Sequence, residues 1–284
     1  MSGELALPVL LYEDLVRRAL GEDLGRAGDI TTDAVVPAGL PAEAEIVARA
    51  AGRVAGLGPA LLAFRLLDPD GSGEVCGGDG TDVEAGAVVA RVRGRARAIL
   101  SGERTALNLL GRLSGIATAT RDAVARLRGL PTRVAGTRKT TPGLRALEKY
   151  AVRVGGGDSH RYGLDDAVLV KDNHLALAGG IAEALRRVRQ SVGHMVLIEV
   201  EVDTLAQLDE ALGEGVSAVL LDNMDLVTMR EAVRRARGRA LTEASGGVHP
   251  EHVREVAETG VDVVSIGWLT HSAPSLDVSL EIVG

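Results

Sequence analysis

The sequence predicts an α/β protein in which a small mixed domain precedes repeated parallel βαβ units, arranged as an incomplete barrel or an open sheet. Three observations support this prediction. Short strand-like runs are mixed with turns up to about residue 95, and apolar residues at helical spacing follow. From about residue 132, apolar strands alternate with amphipathic helices. Such alternation is typical of a parallel sheet covered by helices.

The predicted first part begins with a helix in MSGELALPVLLYEDLVRRALGEDLG. The runs AEIVARA and AVVARVRG follow as strands, and DPDGSGEVCGGDGTDVEAG between them is rich in turn-forming residues. In SGERTALNLLGRLSGIATATRDAVARLRG, the side chains of Leu107, Leu110 and Leu113 fall near one helical face. We therefore expect a small α+β domain joined to the second part by one or two helices.

The second part repeats a strand, a loop and a helix about six times over roughly 135 residues. An eight-unit barrel needs about 200 residues or more, so a complete one does not fit. Thr204 and Gln207 have the spacing of a capping box at a helix start, and the glycines at 155–157 are predicted to end a helix. The predicted strands are TRVAG, AVLVKD, MVLIEVEV, SAVLLDN, ALTEASGG and VDVVSIG.

Residues suited to binding or catalysis end nearly every predicted strand of the second part. In parallel α/β architectures, the carboxyl ends of the strands form the functional edge. We therefore expect these residues to form one site. They are Arg138 and Lys139, Lys171, Glu201, Asp222, Ser245 with Gly246 and Gly247, and Ser265 with Gly267.

The carboxylates in this set indicate a metal site. Alternation within LIEVEVD places Glu199 and Glu201 on the interior face of their strand, and Asp222 ends the next strand. Carboxylates beside a cationic site suit a hard ion such as Mg²⁺, which is usually shared with substrate phosphates. The alternative is that the carboxylates only balance the charge of nearby lysines and arginines.

The glycines that follow the last two strands favour phosphate binding. In SGG and IGW, small residues allow main-chain N–H groups to approach an anion near the start of a helix. The alternative is that these glycines only form turns.

Several cationic side chains gather between residues 138 and 171, although the formal net charge of the chain is −7. The guanidinium groups of Arg138 and Arg161 match carboxylates with two parallel hydrogen bonds, whereas Lys139 and Lys171 act as compact charges. We expect His160 to contact a ligand, with a purely structural role as the alternative. The group indicates a polyanionic substrate, unless it is only a solvated face.

The amino-acid composition argues against several classes of binding protein and indicates the cellular compartment. Only 2% of residues are aromatic, which argues against binding of single-stranded nucleic acid, and the acidic balance argues against general DNA or membrane-surface binding. Cys76 is the only cysteine, which favours a reducing compartment. The sequence has no basic leader and no apolar run of about 18 residues. We expect a cytoplasmic protein that binds neither nucleic acid nor membrane.

Taken together, these motifs resemble the quinolinate phosphoribosyltransferase family, also called nicotinate-nucleotide pyrophosphorylase (carboxylating), the type II phosphoribosyltransferases. The resemblance covers almost the full chain, and its long central block is highly specific. The motifs that carry it are EDLGRAGDITT, ERTALNLLGRLSGIAT, GTRKTTPGLRALEKYAV, GGGDSHRYGLDDAVLVKDNH, EVEVD, LLDN, EASGGV and SIGWLTHSAPSLDVSLEI.

The resemblance implies an N-terminal α/β sandwich domain over residues 1–105 and an incomplete, about six-stranded α/β barrel over residues 106–271. The tail, at about residues 272–284, is expected to pack back on the first domain. The resemblance also implies a homodimer, or a higher assembly, in which Arg104 reaches into the partner's site. From the residues alone, Arg104 is equally well an ordinary exposed helical arginine.

The resemblance further implies a pentosyltransferase of de novo NAD biosynthesis, which converts quinolinate and phosphoribosyl pyrophosphate to nicotinate mononucleotide, pyrophosphate and CO₂. Lys139, Lys171, Glu201 and Asp222 are its implied catalytic groups, and Glu201 and Asp222 are the implied Mg²⁺ ligands. The implied pocket for the two quinolinate carboxylates comprises Arg138, Lys139, His160 and Arg161, and Thr137 is a further implied substrate-binding residue. The implied cradle for the 5′-phosphate and pyrophosphate comprises Ser245, Gly246, Gly247, Ser265, Gly267 and His271, with Lys171 beside the ribose.

Other functions stay open at this point. A nicotinate phosphoribosyltransferase and the molybdenum-transport-associated homologue are the nearest, although the His160–Arg161 pair and Lys171 favour a dicarboxylate. Lys171 at a strand end would also suit a Schiff-base aldolase. A catalytically silent phosphate-binding protein should have lost Glu201 or Asp222, and both are present.

Overall fold

The computed structural model describes residues 7–283, and the chain folds into two compact units. The first unit runs as far as Arg121 and includes Thr141–Gly156 and the chain from Ser272 onward. The second comprises Asp122–Thr140 and Gly157–His271. The domain division expected from the sequence, at residues 105 and 271, stays a prediction.

The described residues form thirteen strands and eleven α-helices, with short 3₁₀ helices at Val9–Leu11 and Pro250–His252. The strands are β1 (Pro41–Ala48), β2 (Gly52–Arg53), β3 (Ser72–Val75), β4 (Asp82–Val83), β5 (Val88–Arg95), β6 (Arg133–Gly136), β7 (Asp158–Ser159), β8 (Val168–Val170), β9 (Ile198–Val202), β10 (Ala218–Asp222), β11 (Leu241–Ser245), β12 (Val263–Ser265) and β13 (Val278–Val283). The helices are α1 (Glu13–Leu24), α2 (Ile30–Val35), α3 (Leu57–Leu67), α4 (Ala96–Arg126), α5 (Arg145–Val154), α6 (Asp172–Ala178), α7 (Ile181–Ser191), α8 (Leu205–Gly213), α9 (Leu226–Ala236), α10 (Val253–Ala257) and α11 (Trp268–His271).

The first unit contains a four-stranded antiparallel sheet in the order β13-β1-β5-β3 and a separate β2-β4 pair. The two long strands predicted here, β1 and β5, are confirmed, as is a helix at α1; residues 1–6 of that predicted segment lie outside the described residues. The stretch expected to form only turns contains the strand β3. Every side chain of β3 is exposed, so it lacks the apolar alternation that identifies a strand.

A single helix, α4, occupies the stretch where one or two helices were predicted. Leu107, Leu110 and Leu113 are all buried, which confirms their predicted common face. The helix α5 stops at Val154, and Gly156 that follows adopts a φ of 90°, a left-handed conformation that suits glycine. The predicted helix stop at residues 155–157 is therefore confirmed.

The second unit contains one parallel sheet in the order β7-β6-β12-β11-β10-β9-β8. The strands β7 and β8 are its edges, so the sheet is an incomplete barrel, as predicted. All six predicted strands are present. The seventh, β7, has two residues and no apolar run, so periodicity could not reveal it.

Side chains on both faces of the strand β9 are buried. In β9, Val200 and Val202 are fully buried, and Glu199 and Glu201 on the other face are also buried, so both faces of this strand are covered. The capping box at the start of α8 is confirmed, because Thr204 Oγ1 accepts from the Gln207 N–H at 3.2 Å and Gln207 Oε1 accepts from the Thr204 N–H at 3.1 Å. Because all seven strands are parallel, their carboxyl ends meet at one edge.

Within the described range, no helix combines the length and the apolar composition that crossing a bilayer requires.

Candidate active site

All predicted site residues except Arg104 lie in the second unit, at or just beyond the carboxyl ends of its strands. The strand register aligns them. Asp222 is opposite Ser245, and Glu201 is opposite Leu220, two residues before Asp222. The edge predicted from the sequence therefore exists, and the following contacts define which residues it groups.

Arg138 and Arg161 form a cationic pair that is only partly neutralised. Burial and the neighbouring charge of Arg138 lower the pKa of the Arg161 guanidinium. The Nε atoms of both side chains are buried, and neither has a hydrogen-bond partner among the residues that the structure describes. A buried N–H without an acceptor is costly, so two such donors side by side are suited to an anion that supplies the acceptors.

His160 lies beside this pair, but its ring faces two carboxylates of the sheet. Its main-chain N–H donates to the carbonyl oxygen of Gly136, which ties it to the end of β6. Its Nε2 atom lies 3.0 Å from Oε2 of Glu199 and 3.5 Å from Oε1 of Glu243. The predicted ligand contact of His160 stays a prediction.

Lys171 and Glu201 form an ion pair at the ends of β8 and β9, with Lys171 Nζ 2.5 Å from Glu201 Oε2. Asp222 Oδ2, on the adjacent strand, accepts from Asn223 Nδ2 at 2.7 Å. Both carboxylates offer the oxygen ligands that Mg²⁺ prefers, and two carboxylates with substrate oxygens and water form an ordinary magnesium site. The residues present therefore fit this ion.

The loop after β11 comes very close to the loop after β10. Gly246 and Gly247 have φ angles of 92° and 61°, so both are in left-handed conformations. A Cβ atom on Gly246 would lie only 2.8 Å from the main-chain nitrogen of Asn223, a residue that itself has a φ of 51°. The Asn223 N–H also donates to the Ser245 carbonyl at 3.1 Å. Together these contacts place the predicted glycine cradle next to Asp222.

Thr137, Lys139, Gly267 and His271 form a second group on this edge. A Cβ atom on Gly267 would be 2.7 Å from Lys139 Cδ and 3.4 Å from both His271 Nε2 and Thr137 Oγ1. The Thr270 hydroxyl donates to the Lys139 carbonyl at 2.9 Å, which joins the loop after β6 to α11. Glycine at position 267 therefore leaves the space that the Lys139 side chain occupies.

Ser265 and Arg104 are placed differently from the others. Ser265 is buried, and its hydroxyl lies 3.5 Å from the Ala244 carbonyl oxygen, so any contact with phosphate would come from its main chain. Arg104 belongs to the first unit, on α4, with a side chain that is 65% exposed and 3.9 Å from Glu103. Its predicted role in a partner's site stays a prediction.

Sequence reasoning missed Glu243 and Asn223. Glu243 is the third residue of β11, and burial raises its pKa to about 7, with the charge of Glu199 as the second cause. A glutamate in the middle of a predicted strand was the available signal for Glu243. For Asn223, the only signal was that it follows Asp222 at the end of a predicted strand, because a left-handed φ is not visible in the sequence.

Two domain families match this chain. Residues 116–281 match the family described as "Quinolinate phosphoribosyl transferase, C-terminal domain", and residues 29–114 match its N-terminal domain. The two matches together cover most of the chain.

Individual relatives are similar over nearly their full length. The chain is 46% identical to the probable nicotinate-nucleotide pyrophosphorylase [carboxylating] of Bacillus subtilis, over 96% of this chain and 94% of that protein. It is 45% identical to the nicotinate-nucleotide pyrophosphorylase [carboxylating] of Mycobacterium leprae, over 95% and 96%. The crystal structure of NadC from Streptococcus pyogenes superposes with a TM-score of 0.93 at 38% identity, over 98% and 99% of the two chains.

Proposed function

Because the chain belongs to the quinolinate phosphoribosyltransferase family, we propose that it transfers the phosphoribosyl group of phosphoribosyl pyrophosphate to quinolinate, with loss of CO₂. The products are nicotinate mononucleotide, pyrophosphate and CO₂, which makes the enzyme a pentosyltransferase of NAD biosynthesis.

The Arg138–Arg161 pair is the observation that carries this proposal. Two adjacent guanidinium groups with buried, unpartnered Nε atoms are matched by a substrate with two neighbouring carboxylates. Quinolinate has this chemistry, whereas nicotinate has one carboxylate. Thr137 and Lys139 lie on the loop that carries Arg138, and we assign them to the same pocket.

The other end of the site suits phosphoribosyl pyrophosphate. The left-handed glycines 246 and 247 and the loop at Gly267 allow main-chain N–H groups to surround a 5′-phosphate without steric hindrance from side chains. Lys171 is held by Glu201 at the edge of the sheet, where its ammonium group can contact the ribose or the pyrophosphate. His271, next to Lys139, completes the pyrophosphate side.

Glycosyl transfer at this site depends on charge. The quinolinate ring nitrogen attacks the anomeric carbon as the bond to pyrophosphate breaks, and positive charge develops on the ribose. We propose that Glu201 and Asp222 stabilise that charge, while the cations hold two mutually repelling anions together. Mg²⁺ held by Glu201 and Asp222 would neutralise negative charge on the departing pyrophosphate.

Decarboxylation follows from the product of this step. The ring nitrogen is now bonded to the ribose and positively charged, so it withdraws electrons from the adjacent carbon. The C–CO₂⁻ bond breaks, its electron pair passes to the ring, and a proton then replaces the carboxylate. The arginine pair need only hold the ring in place for this to occur.

Assembly and location complete the proposal. We propose a cytoplasmic homodimer in which Arg104 is contributed to the neighbouring site. Its side chain is exposed, and the ion pair that it forms with Glu103 is long, at 3.9 Å. Cys76 as the sole cysteine suits a reducing compartment.

A substrate comparison tests the proposed function. The protein with phosphoribosyl pyrophosphate and Mg²⁺ is given quinolinate or nicotinate, and nucleotide and CO₂ are measured. We expect turnover of quinolinate with one CO₂ per nucleotide. Turnover of nicotinate alone would contradict the proposal, and borohydride trapping of Lys171 with a carbonyl substrate would indicate an aldolase instead. Glu201→Gln, which removes a proposed catalytic group, is the inactive control.

A further inference from the structure

The His160 ring lies within a buried carboxylate cluster, formed by Glu199 on β9 and Glu243 on β11. The side chains of Glu199 and Glu243 are 6% and 7% exposed, and that of His160 is 14% exposed. Arg133 and the Ser265 hydroxyl also face Glu243. The cluster is therefore largely shielded from water, and its members must satisfy one another.

The two ring nitrogens of His160 have different partners, and these partners fix the position of the proton. Nδ1 accepts from the main-chain N–H of Arg161 at 2.8 Å. A nitrogen that accepts a hydrogen bond carries no proton, so the proton of the neutral ring lies on Nε2. Nε2–H therefore donates to Glu199, at 3.0 Å.

This arrangement costs stability. Two carboxylates that approach the same N–H in a dehydrated interior repel each other. Oε1 of Glu243 is buried with no hydrogen-bond partner among the described residues. Well-packed apolar side chains at these positions would be at least as stable. The role of the cluster is therefore to orient His160, not to stabilise the fold.

We infer that Glu199, supported by Glu243, is a positioning residue that orients the His160 ring and, through it, the main chain and guanidinium group of Arg161. This inference rests on the proposed function, because Arg161 is the group proposed to bind a quinolinate carboxylate. It changes the expected role of His160, whose two ring nitrogens are occupied by protein groups. His160 then acts by holding Arg161, and its predicted contact with a ligand stays a prediction.

A metal site is the competing explanation of the same cluster. One ligand atom from each of His160, Glu199 and Glu243 lies within 4.8 Å of the others. A metal on Nε2 would, however, move the ring proton to Nδ1, where it would face the Arg161 N–H. The observed hydrogen bond to Nδ1 favours the hydrogen-bonded cluster.

Steady-state kinetics test the positioning role. Glu199→Met keeps the shape but removes the acceptor, so the His160 ring and Arg161 are no longer held. A misplaced Arg161 loses a charge-assisted hydrogen bond to quinolinate, which should raise the KM for quinolinate roughly tenfold or more. The KM for phosphoribosyl pyrophosphate should change less than about twofold. Glu199→Gln keeps an amide oxygen that accepts from Nε2–H, so it should restore most of the quinolinate KM.

Asp262→Asn is the matched control. The Asp262 carboxylate accepts from the Thr242 N–H and hydroxyl at 2.8 and 2.7 Å, at the opposite edge of the same sheet. This variant should lose stability without a selective change in the quinolinate KM. Equal increases in both KM values for Glu199→Met, or no rescue by Glu199→Gln, would overturn the inference. Absence of quinolinate turnover in the unmodified protein would instead count against the proposed function.

A second measurement, by NMR, tests the inference without a Glu199 variant and without enzyme turnover. In protein labelled with ¹⁵N-histidine, the ring nitrogen shifts report which nitrogen carries the proton, and His160→Asn assigns the signal. We expect the Nε2–H tautomer at neutral pH. An Nδ1–H tautomer would overturn the inference and indicate the arrangement that a metal site requires.

Discussion

Arg138 and Arg161 each bury a guanidinium Nε atom for which the described residues supply no acceptor. Their proximity lowers the pKa of Arg161, although burial contributes more. Neither feature stabilises the fold, since unpaired donors and like charges both cost free energy. Both features become favourable when a dianion is bound between the two side chains. At the scale of the residue, the site is therefore organised for a ligand.

Arg161→Ala should weaken quinolinate binding far more than binding of phosphoribosyl pyrophosphate. A charge-assisted hydrogen bond contributes about 1.5–3 kcal/mol, so the dissociation constant for quinolinate should rise roughly 10- to 100-fold. Isothermal titration calorimetry of the two ligands measures this difference. Arg187→Ala, which removes an exposed arginine of α7, is the control and should change neither constant.

Glu243 should make the stability of the protein depend on pH. Its pKa is raised from 4.5 to about 7, first by burial and then by Glu199 on β9; His160, Ser265 and Arg133 oppose this rise. The folded protein therefore binds more protons than the unfolded chain between these values, and stability falls as the pH rises from about 4.5 through about 7. The contribution is at most about 3 kcal/mol.

Glu243→Gln removes this titration. As the pH rises from about 5 to about 8, the free energy of unfolding of the unmodified protein should fall relative to that of the variant. Urea denaturation of both proteins at each pH measures this difference. Glu251→Gln changes a glutamate that is exposed on the surface and should keep the original pH dependence. If the free energy of unfolding depends on pH in the same way for Glu243→Gln and the unmodified protein, Glu243 does not hold a proton in the folded state.

At the scale of the element, the loops that follow the strands build the phosphate end of the site. Each short loop follows a buried parallel strand, so the strands fix where the loops begin, and glycines allow the loops to approach one another. Gly246 lies against Asn223, and Gly267 lies against Lys139. The phosphate end of the site therefore depends on main-chain placement rather than on side chains alone.

Gly246→Ala should disturb this end of the site. Its φ is 92°, and the added Cβ would lie 2.8 Å from the Asn223 nitrogen, so the loops must separate. We expect a loss of about 1–3 kcal/mol in the free energy of unfolding and a higher KM for phosphoribosyl pyrophosphate. Gly238 has a similarly left-handed φ of 73°, but no atom of the described residues would lie within 4 Å of a Cβ added by Gly238→Ala. It should lose stability without the change in KM, whereas equal effects of both variants on KM would contradict the account.

At the scale of the whole molecule, a protein of net charge −7 gathers a group of cations at one edge of one sheet. That edge holds Arg138, Lys139, Arg161 and Lys171, and Glu201 balances Lys171 directly. This group concentrates positive charge where the proposed polyanionic substrates bind. The proposed dimer would add Arg104 to the same group.

Subunit exchange tests the contribution of Arg104. Arg104→Ala and Lys171→Ala should each be inactive alone, because each lacks one cation in both sites. Mixed heterodimers contain one site with both cations, so they should regain part of the activity. Lack of recovery in heterodimers verified by mass spectrometry would mean that Arg104 does not act across an interface.

The sequence predicted what depends on local pattern. Apolar runs identified β6 and the five long or buried strands that follow it in the sheet order, and strand ends identified the edge that carries Lys171, Glu201 and Asp222. It missed β3 and β7, whose residues are exposed or too few to show a period. It also missed the Glu199–His160–Glu243 cluster, because hydrogen-bond partners that are far apart in sequence depend on strand order. The part played by Arg104 depends on a second chain, which no pattern within one chain reveals.

The most direct test of the central claim compares the binding of quinolinate and nicotinate to the unmodified protein by calorimetry. Paired guanidinium groups should bind the dicarboxylate at least about tenfold more tightly than the monocarboxylate, and added salt should reduce this preference. Equal affinity for the two acids, or a preference for nicotinate, would contradict a pocket organised by Arg138 and Arg161 around two carboxylates.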